Sequence, residues 1–405
     1  MTTLARSARF AERTARMRAS TIREMLKVTG RPEVISFAGG LPAPELFPTQ
    51  RIGEIAVEVM RERGAAALQY SVTEGIPELR EWVANWLTKR SGQSFSREDV
   101  IIVSGSQQGL DLLGKLFLDP GDHVALECPS YLGAIQAFDA YQARYLSVAI
   151  DEHGMLPDAL EHALAHANPL PKFVYIVPNF QNPTGRLLAH DRREAIVRIC
   201  ERFDVPLIED DAYAALHFDG IEHPPLISWN SSSPIIYSGT ASKLMAPGLR
   251  VAWIATKDHD ILDKLVLAKQ GADLHASSLS QYVFAQYVND DAAFIRHIES
   301  IRETYRKRRD AMVSALAREM PEGVTFNRPD GGMFLWCEIE GVDTADLLAL
   351  ASQSNVVFVP GVSFFAHRER TDGMRLNFSN SGEEKIAVGI ERLAHAVRTI
   401  AGATR

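Results

Sequence analysis

Lys243 stands in a stretch running from Pro234 to Ala255, PIIYSGTASKLMAPGLRVAWIA. An apolar run, Ile235 to Tyr237, precedes it, and a second, Leu249, Val251, Trp253 and Ile254, follows. The pattern reads as strand, polar turn, strand. The turn is small and hydroxyl-rich except for this one lysine, and Pro247-Gly248 then bends the chain back. A lysine at a strand end can simply snorkel to water. Here Thr240 and Ser242 supply hydroxyls beside it and Arg250 adds a second cation, a set that suits an anionic group. A lysine held in partly desolvated, cationic surroundings binds its proton less tightly and becomes a nucleophilic amine.

Four other segments bring polar groups to the ends of apolar runs. Ser104–Gly109, SGSQQG, follows a strand and opens a helix, so its free N–H groups can meet a phosphate. It lacks the GK[ST] ending of a nucleotide P-loop and the GxGxxG of a dinucleotide site, and an ordinary helix cap is the plainer reading. In Asn179–Gly185, NFQNPTG, the proline forces Asn182 extended, so its amide can project; an Asn-Pro turn is the alternative. In Ile208–Tyr213, IEDDAY, the paired carboxylates suit metal or acid–base work. Alternatively one carboxylate faces a bound cation such as a protonated pyridine, with Tyr213 three residues on. In Met374–Ser379, MRLNFS, Arg375 could grip a carboxylate bidentately, though a surface ion pair is the default for a single arginine. An amine nucleophile beside a phosphate site is what pyridoxal 5′-phosphate (PLP) requires.

The elements that must position these residues alternate. Apolar strands at Val100–Val103, Val124–Glu127, Arg144–Ile150, Phe173–Val177 and Val205–Glu209 are separated by helical stretches, among them Arg192–Phe203. Such alternation predicts an α/β fold, a mostly parallel sheet with helices on both faces, and ligands then gather at the carboxyl ends of the strands. Ahead of this lie a helix over Ser20–Val28, an extended Val34–Phe37, and a helix over Arg51–Arg63 that Gly64 is expected to end. Pro77 opens the next helix, with Tyr70 in the loop before it. Long helices follow over 258–318. Beyond them, strands at Val324–Phe326, Met333–Ile339, Val356–Val359 and Met374–Ser379 with helices near 343–353 and 383–401 predict a smaller α+β domain.

A chain of 405 residues exceeds one comfortable core. Residues 46% apolar and 23% charged place it among globular proteins, and a net charge of −8 leaves no footprint for nucleic acid. No run is long enough for a membrane span. Three scattered cysteines and 12 histidines without an HExxH pair argue against a metal or a disulfide framework and suit a reducing compartment, hence a cytoplasmic protein. The arginine-rich start has no apolar core of a secretory signal, and Glu12 argues against a mitochondrial presequence.

The order SGSQQ, NPTG, DxxY, TxSK with a following arginine, then a C-terminal arginine strand, resembles fold-type I PLP-dependent aminotransferases. Within them the chain is similar to the branch holding 2-aminoadipate and kynurenine aminotransferases, from about residue 15 to its end. STIRE…SFAGGLPAPELFP and LQYSVTEGIPELR carry that likeness most specifically. The resemblance implies an aspartate aminotransferase-like fold: an arm and part of a small domain over 1–48, a large PLP-binding domain over 49–292, and a small domain over 293–405. It implies that Lys243 binds PLP covalently and then shuttles the substrate proton. Asp210 would pair with the pyridine nitrogen, Tyr213 and Asn182 with the ring oxygen, and Tyr131 would stack on the ring. Ser106, Gln107, Thr240, Ser242 and Arg250 would hold the phosphate, joined by Tyr70 from the partner of a homodimer. Arg375 would bind the substrate α-carboxylate, with Gly40 and Asn182 beside it. Ser20 and Arg23 would lie over the substrate side chain, Arg23 facing a distal carboxylate. The expected reaction is ping-pong transfer of an amino group from an L-α-amino acid to a 2-oxo acid, 2-oxoglutarate being the expected acceptor. The alternative is a PLP-dependent lyase, cyclase or decarboxylase. Ala241 departs from the branch, where an aromatic residue is usual, and puts substrate preference in doubt.

Overall fold

The computed structural model describes residues 10–17, 33–218 and 220–403. The strands are β1 Ile35–Ser36, β2 Val100–Val103, β3 His123–Cys128, β4 Arg144–Asp151, β5 Gly154–Met155, β6 Phe173–Ile176, β7 Leu207–Asp210, β8 Ile235–Thr240, β9 Ala252–Ala255, β10 Val324–Phe326, β11 Phe334–Ile339, β12 Val356–Val357, β13 Val359–Pro360 and β14 Gly373–Asn377.

Eight of them form one sheet in the order β2-β9-β8-β7-β6-β3-β4-β5. β4, β3, β6, β7 and β8 run parallel, while β9 is antiparallel to both β8 and β2. Buried on both faces, β2 (VIIV) and β6 (FVYI) read as near-continuous apolar runs, as a doubly covered parallel sheet requires, while β7 (LIED) is buried throughout but ends in two acids. Because β9 reverses direction twice over, β2 points the same way as β8. The turns after β2, β3, β6, β7 and β8 therefore open on one edge of the sheet, and all five carry the polar residues singled out above. The α/β expectation thus holds.

The second sheet has the order β10-β11-β14-β13 and is antiparallel throughout. β1 pairs in parallel with β12, Ile35 opposite Val356, so the segment ahead of Gly40 is tied to the chain's last quarter.

Two expectations are corrected. Gly64 does not end its helix, which spans Thr49–Leu68. Ala65, Ala66 and Ala67 follow at once, and strong helix formers outweigh the cost of about 1 kcal/mol that one glycine imposes. The apolar run Val356–Val359 is not one strand either. Its first half joins β1 and its second half joins β14, with Phe358 buried at the break. A run of β-formers reports propensity, whereas the partners on either side decide where a strand divides. The helix expected over Ser20–Val28 lies outside the described residues.

Candidate active site

Asp210 ends β7 with its carboxyl almost wholly buried. Its Oδ2 accepts a hydrogen bond from the Tyr175 hydroxyl on neighbouring β6 at 2.7 Å. Its Oδ1 is buried without a hydrogen-bond partner among the described residues. Burial pushes this acid up to about 6, the Tyr175 hydrogen bond opposes the rise, and the charge of Asp211 adds to it.

Asp211 is built for a different task. Its Oδ2 accepts from Arg90 Nη1 at 2.8 Å and from the Tyr237 hydroxyl at 2.9 Å, and its Oδ1 from Asn179 Nδ2 at 2.7 Å. With both oxygens saturated, Asp211 fastens the floor rather than facing a ligand. The two carboxylates are therefore not a metal or acid–base pair, and the described residues contain no His, Cys, Asp and Glu cluster able to hold a metal.

The turn after β8 carries Lys243. Its Nζ donates to the Gly40 carbonyl at 2.8 Å, across 203 residues of chain. Desolvation, then the charges of Arg375 and Arg250, bring the amine down to about 8. Lys243 thus lies between two cations, and a sizeable fraction of it is neutral near physiological pH.

Arg375, on β14, is 1% exposed. Its Nη1 donates to Asn182 Oδ1 at 2.8 Å and its Nη2 to the Ala38 carbonyl at 2.6 Å. Its guanidinium carbon lies 4.3 Å from the Phe334 ring centre and 5.1 Å from that of Phe364. Burial lowers this arginine to about 10, with Tyr213 and Tyr131 opposing the shift, and its Nε is buried without a hydrogen-bond partner among the described residues. Asn182 also donates from Nδ2 to the Tyr213 hydroxyl at 3.4 Å. Burial drives the Tyr213 phenol upward, and it pushes that of Tyr131, the residue capping the helix Leu132–Asp139, up to about 12.

At the other end, Ser106 is the first residue of the helix Ser106–Phe117. Gly105 precedes it with φ +86°, and a Cβ there would overlap the Arg250 guanidinium. Only glycine leaves that space open. Arg250 itself adopts φ +54° and donates from Nη2 to the Ser104 carbonyl at 3.4 Å. Thr240 Oγ1 accepts from the Ser242 N–H at 3.1 Å, which shapes the turn. Gln107 does not point its amide freely toward this end: its Nε2 donates to the Gly133 carbonyl at 2.8 Å. A helix N-terminus, two hydroxyls and an arginine gather here, which is the chemistry of a phosphate cradle.

The structure therefore brings together Lys243, Asp210, Tyr213, Asn182, Tyr131, Arg375 and Gly40, with Ser106, Thr240, Ser242 and Arg250 at the end where the helix Ser106–Phe117 begins. Tyr70 is 80% exposed, and the ring contact it makes is edge-on to His275 at 6.0 Å. Ser20 and Arg23 lie outside the described residues. Ala241 is fully buried, its N–H donating to the Val251 carbonyl at 3.0 Å, so it belongs to the core behind the turn. The sequence reading missed Tyr175, the Phe334–Phe364 sandwich and the Arg90 partner of Asp211. A hydroxyl-bearing ring in the otherwise apolar β6, FVYI, was the available signal for the first.

Residues 44–393 match the family described as aminotransferase class I and II, and the chain belongs to it. The 2-aminoadipate transaminase of Thermus thermophilus is 44% identical over 402 residues, covering 98% of either chain. The structure of a Thermus thermophilus alpha-aminoadipate aminotransferase complexed with N-(5′-phosphopyridoxyl)-L-leucine is 41% identical, with TM-score 0.91, covering 98% of this chain and 99% of that one. The Pyrococcus horikoshii kynurenine aminotransferase, solved with PMP, is 40% identical with TM-score 0.92 and covers 98% of each. The chain is thus a PLP-dependent aminotransferase of the 2-aminoadipate and kynurenine branch, with an aspartate aminotransferase-like fold. Relatives of this kind favour amino-group transfer over elimination, cyclisation or decarboxylation.

The residues present fit PLP. An open carboxylate oxygen awaits a cation at one side of the cluster, an amine of lowered proton affinity stands at another, and a glycine-lined cradle carries the positive charge a phosphate needs.

Proposed function

We propose that Lys243 is the amine that binds PLP and that Asp210 Oδ1 accepts a hydrogen bond from the cofactor's protonated pyridine nitrogen. When bound, PLP supplies an aldehyde for the substrate amine and a ring that accepts electrons. Lys243 Nζ, once free, would carry the proton taken from the substrate Cα. Asp210, kept ionised, would hold the pyridine nitrogen protonated. Tyr213 and Asn182 would hold the ring oxygen, and Tyr131 would cover a ring face. Ser106, Gln107, Thr240, Ser242 and Arg250 form the phosphate end, Gln107 through its backbone.

Arg375 grips the substrate α-carboxylate, with Asn182 beside it and Gly40 lending a backbone contact. The buried Asp210 with one saturated and one open oxygen carries this reading. L-2-Aminoadipate, L-kynurenine and L-leucine are the donors to test first, each against 2-oxoglutarate. The relatives and the leucine adduct motivate that choice. Amino transfer from at least one of the three is expected. No glutamate formed from any of them would overturn the donor class.

The active unit is a homodimer. Leu68 at the end of its helix and Tyr70 and Val72 in the loop after it are 69%, 80% and 54% exposed, apolar side chains that a second copy would cover, bringing Tyr70 to the partner's phosphate end. Equilibrium sedimentation at a twofold mass supports this, and a monomer with full activity contradicts it. We take the chain to divide into an arm at 1–48, a large domain at 49–292 and a small domain at 293–405, a reading supported by the eight-stranded sheet lying within 49–292 and the four-stranded sheet within 293–405. The site of action is the cytoplasm, which keeps the free Cys128, Cys200 and Cys337 reduced. Among the described residues no helix is long and apolar enough to cross a membrane.

A further inference from the structure

Strand β6 places Tyr175 one strand away from Asp210, and the two meet at 2.7 Å with both side chains buried. The bond has a geometric consequence. A carboxylate on a two-bond arm can rotate, and in doing so exchange its oxygens. Tyr175 occupies Oδ2 alone, which leaves Oδ1 as the open acceptor. The phenol ring is itself locked, edge-on to Phe138 at 5.8 Å between ring centres, and Phe138 in turn meets Phe173 at 5.1 Å. A rigid donor is thus fixed on a rigid strand.

We propose that Tyr175 is a positioning residue of the cofactor site: its hydroxyl selects which Asp210 oxygen faces the pyridine nitrogen and keeps that carboxylate ionised. The inference rests on the assignment of Asp210 to the ring nitrogen. A hydrogen bond to an ionised group is stronger than one between neutral partners. It counters the burial that otherwise favours the neutral acid. The groups facing this pair are few. Asp211 follows Asp210 just past the end of β7, Tyr131 and Tyr213 interact with Asp210 from the neighbouring turns, and Glu127 on β3 faces Tyr175 from the far side. Arg375 bears on Tyr131, Tyr213 and Lys243. Glu127 is held by the Val177 N–H at 2.9 Å and is pushed up to about 8 by burial, so it is largely neutral where Asp210 must be charged.

The test is the pH dependence of PLP binding to cofactor-free protein, followed by quenching of intrinsic fluorescence. Four proteins are compared: wild type, Tyr175→Phe, Asp210→Asn and the double variant. Tyr175→Phe keeps the ring and its packing and removes only the donor. Its affinity for PLP at pH 7 is expected to fall about tenfold or more. The acid-side midpoint, where affinity is lost as Asp210 takes up a proton, is expected to move up by about one unit. The phosphate of PLP and Lys243 also titrate, but they do so alike in wild type and Tyr175→Phe, so the difference isolates Asp210. In the Asp210→Asn background, adding Tyr175→Phe should shift nothing further. An equal loss of affinity at every pH with an unmoved midpoint would reduce Tyr175 to packing and overturn the proposal. If Asp210→Asn itself left both affinity and pH profile unchanged, the underlying assignment of Asp210 would fall instead. Should Tyr175→Phe fold poorly, 3-fluorotyrosine at 175, a more acidic donor, serves in its place: the midpoint then moves down if the proposal holds and stays put if it does not.

Discussion

Arg375 is enclosed between the rings of Phe334 and Phe364, with its guanidinium spent on Asn182 and the Ala38 carbonyl. Arg250 lies exposed on a turn, joined by a helix N-terminus and two hydroxyls. Both bear electrostatically on Lys243. The first end has a single cation, desolvated and pinned from three sides, so under the proposed assignment it would take a planar carboxylate in one orientation. The second spreads its task over several groups, each replaceable in part. A site that must release and rebind one ligand at every turnover while keeping another throughout has reason to be built this way. The transient ligand needs strict geometry, and the resident one needs many modest contacts.

The comparison breaks most readily at Arg375. Arg375→Ala removes the substrate's counter-charge and strands Asn182, so kcat/KM for amino donors should fall about 10²- to 10³-fold, measured by steady-state kinetics. Arg375→Lys should recover little, since an ammonium cannot reproduce the planar fork. Arg250→Met should be milder. PLP affinity is expected to fall about tenfold, with kcat near wild type once PLP is saturating. If the two variants cost the same in both assays, the distinction between a concentrated and a distributed end is wrong.

Asp210 sharpens the picture through stability. Its folded value, about 6, stands above the usual carboxylate value, so the folded cofactor-free protein binds more protons than the unfolded chain between about pH 4 and 6. Stability contributed by the group is present below that window and is lost as pH rises through about 6. Cofactor-free Asp210→Asn should therefore be more stable than wild type at pH 7, by about 1–3 kcal/mol, in urea titrations, although its activity is lower. Lys243 has the opposite sign. Brought down to about 8, it leaves the unfolded chain with more bound protons between about pH 8 and 10.5, so its share of stability rises with pH there. The smallest effect follows from the same amine. The rate of PLP capture by cofactor-free protein should rise several-fold as pH passes from 7 to 8.5 and then level, because only the neutral amine attacks. A rate flat across that range would contradict the lowered value.

Much of this was legible in the chain. Each strand-end motif is contiguous, so SGSQQ, NPTG, DDAY and TASK announce both an element and the side chains at its tip. The open sheet then dictates that the tips meet. What stayed hidden was lateral. Tyr175 reaches Asp210 across 35 residues and Arg90 reaches Asp211 across 121, and no local pattern marks either pair. The two aspartates look equivalent in sequence, and only their neighbours make one a fastener and the other an open acceptor. Gly64 misled because a terminator by type was outweighed by the alanines that follow it. Val356–Val359 misled because propensity is blind to which strand lies alongside.

The central claim is that one amine, Lys243, takes the cofactor. Protein saturated with PLP, reduced with borohydride and digested, should yield the phosphopyridoxyl group on the peptide containing Lys243, and Lys243→Ala protein treated alike should carry none at a stoichiometric level. Label mapped to another lysine, or retained in full by Lys243→Ala, would contradict the account.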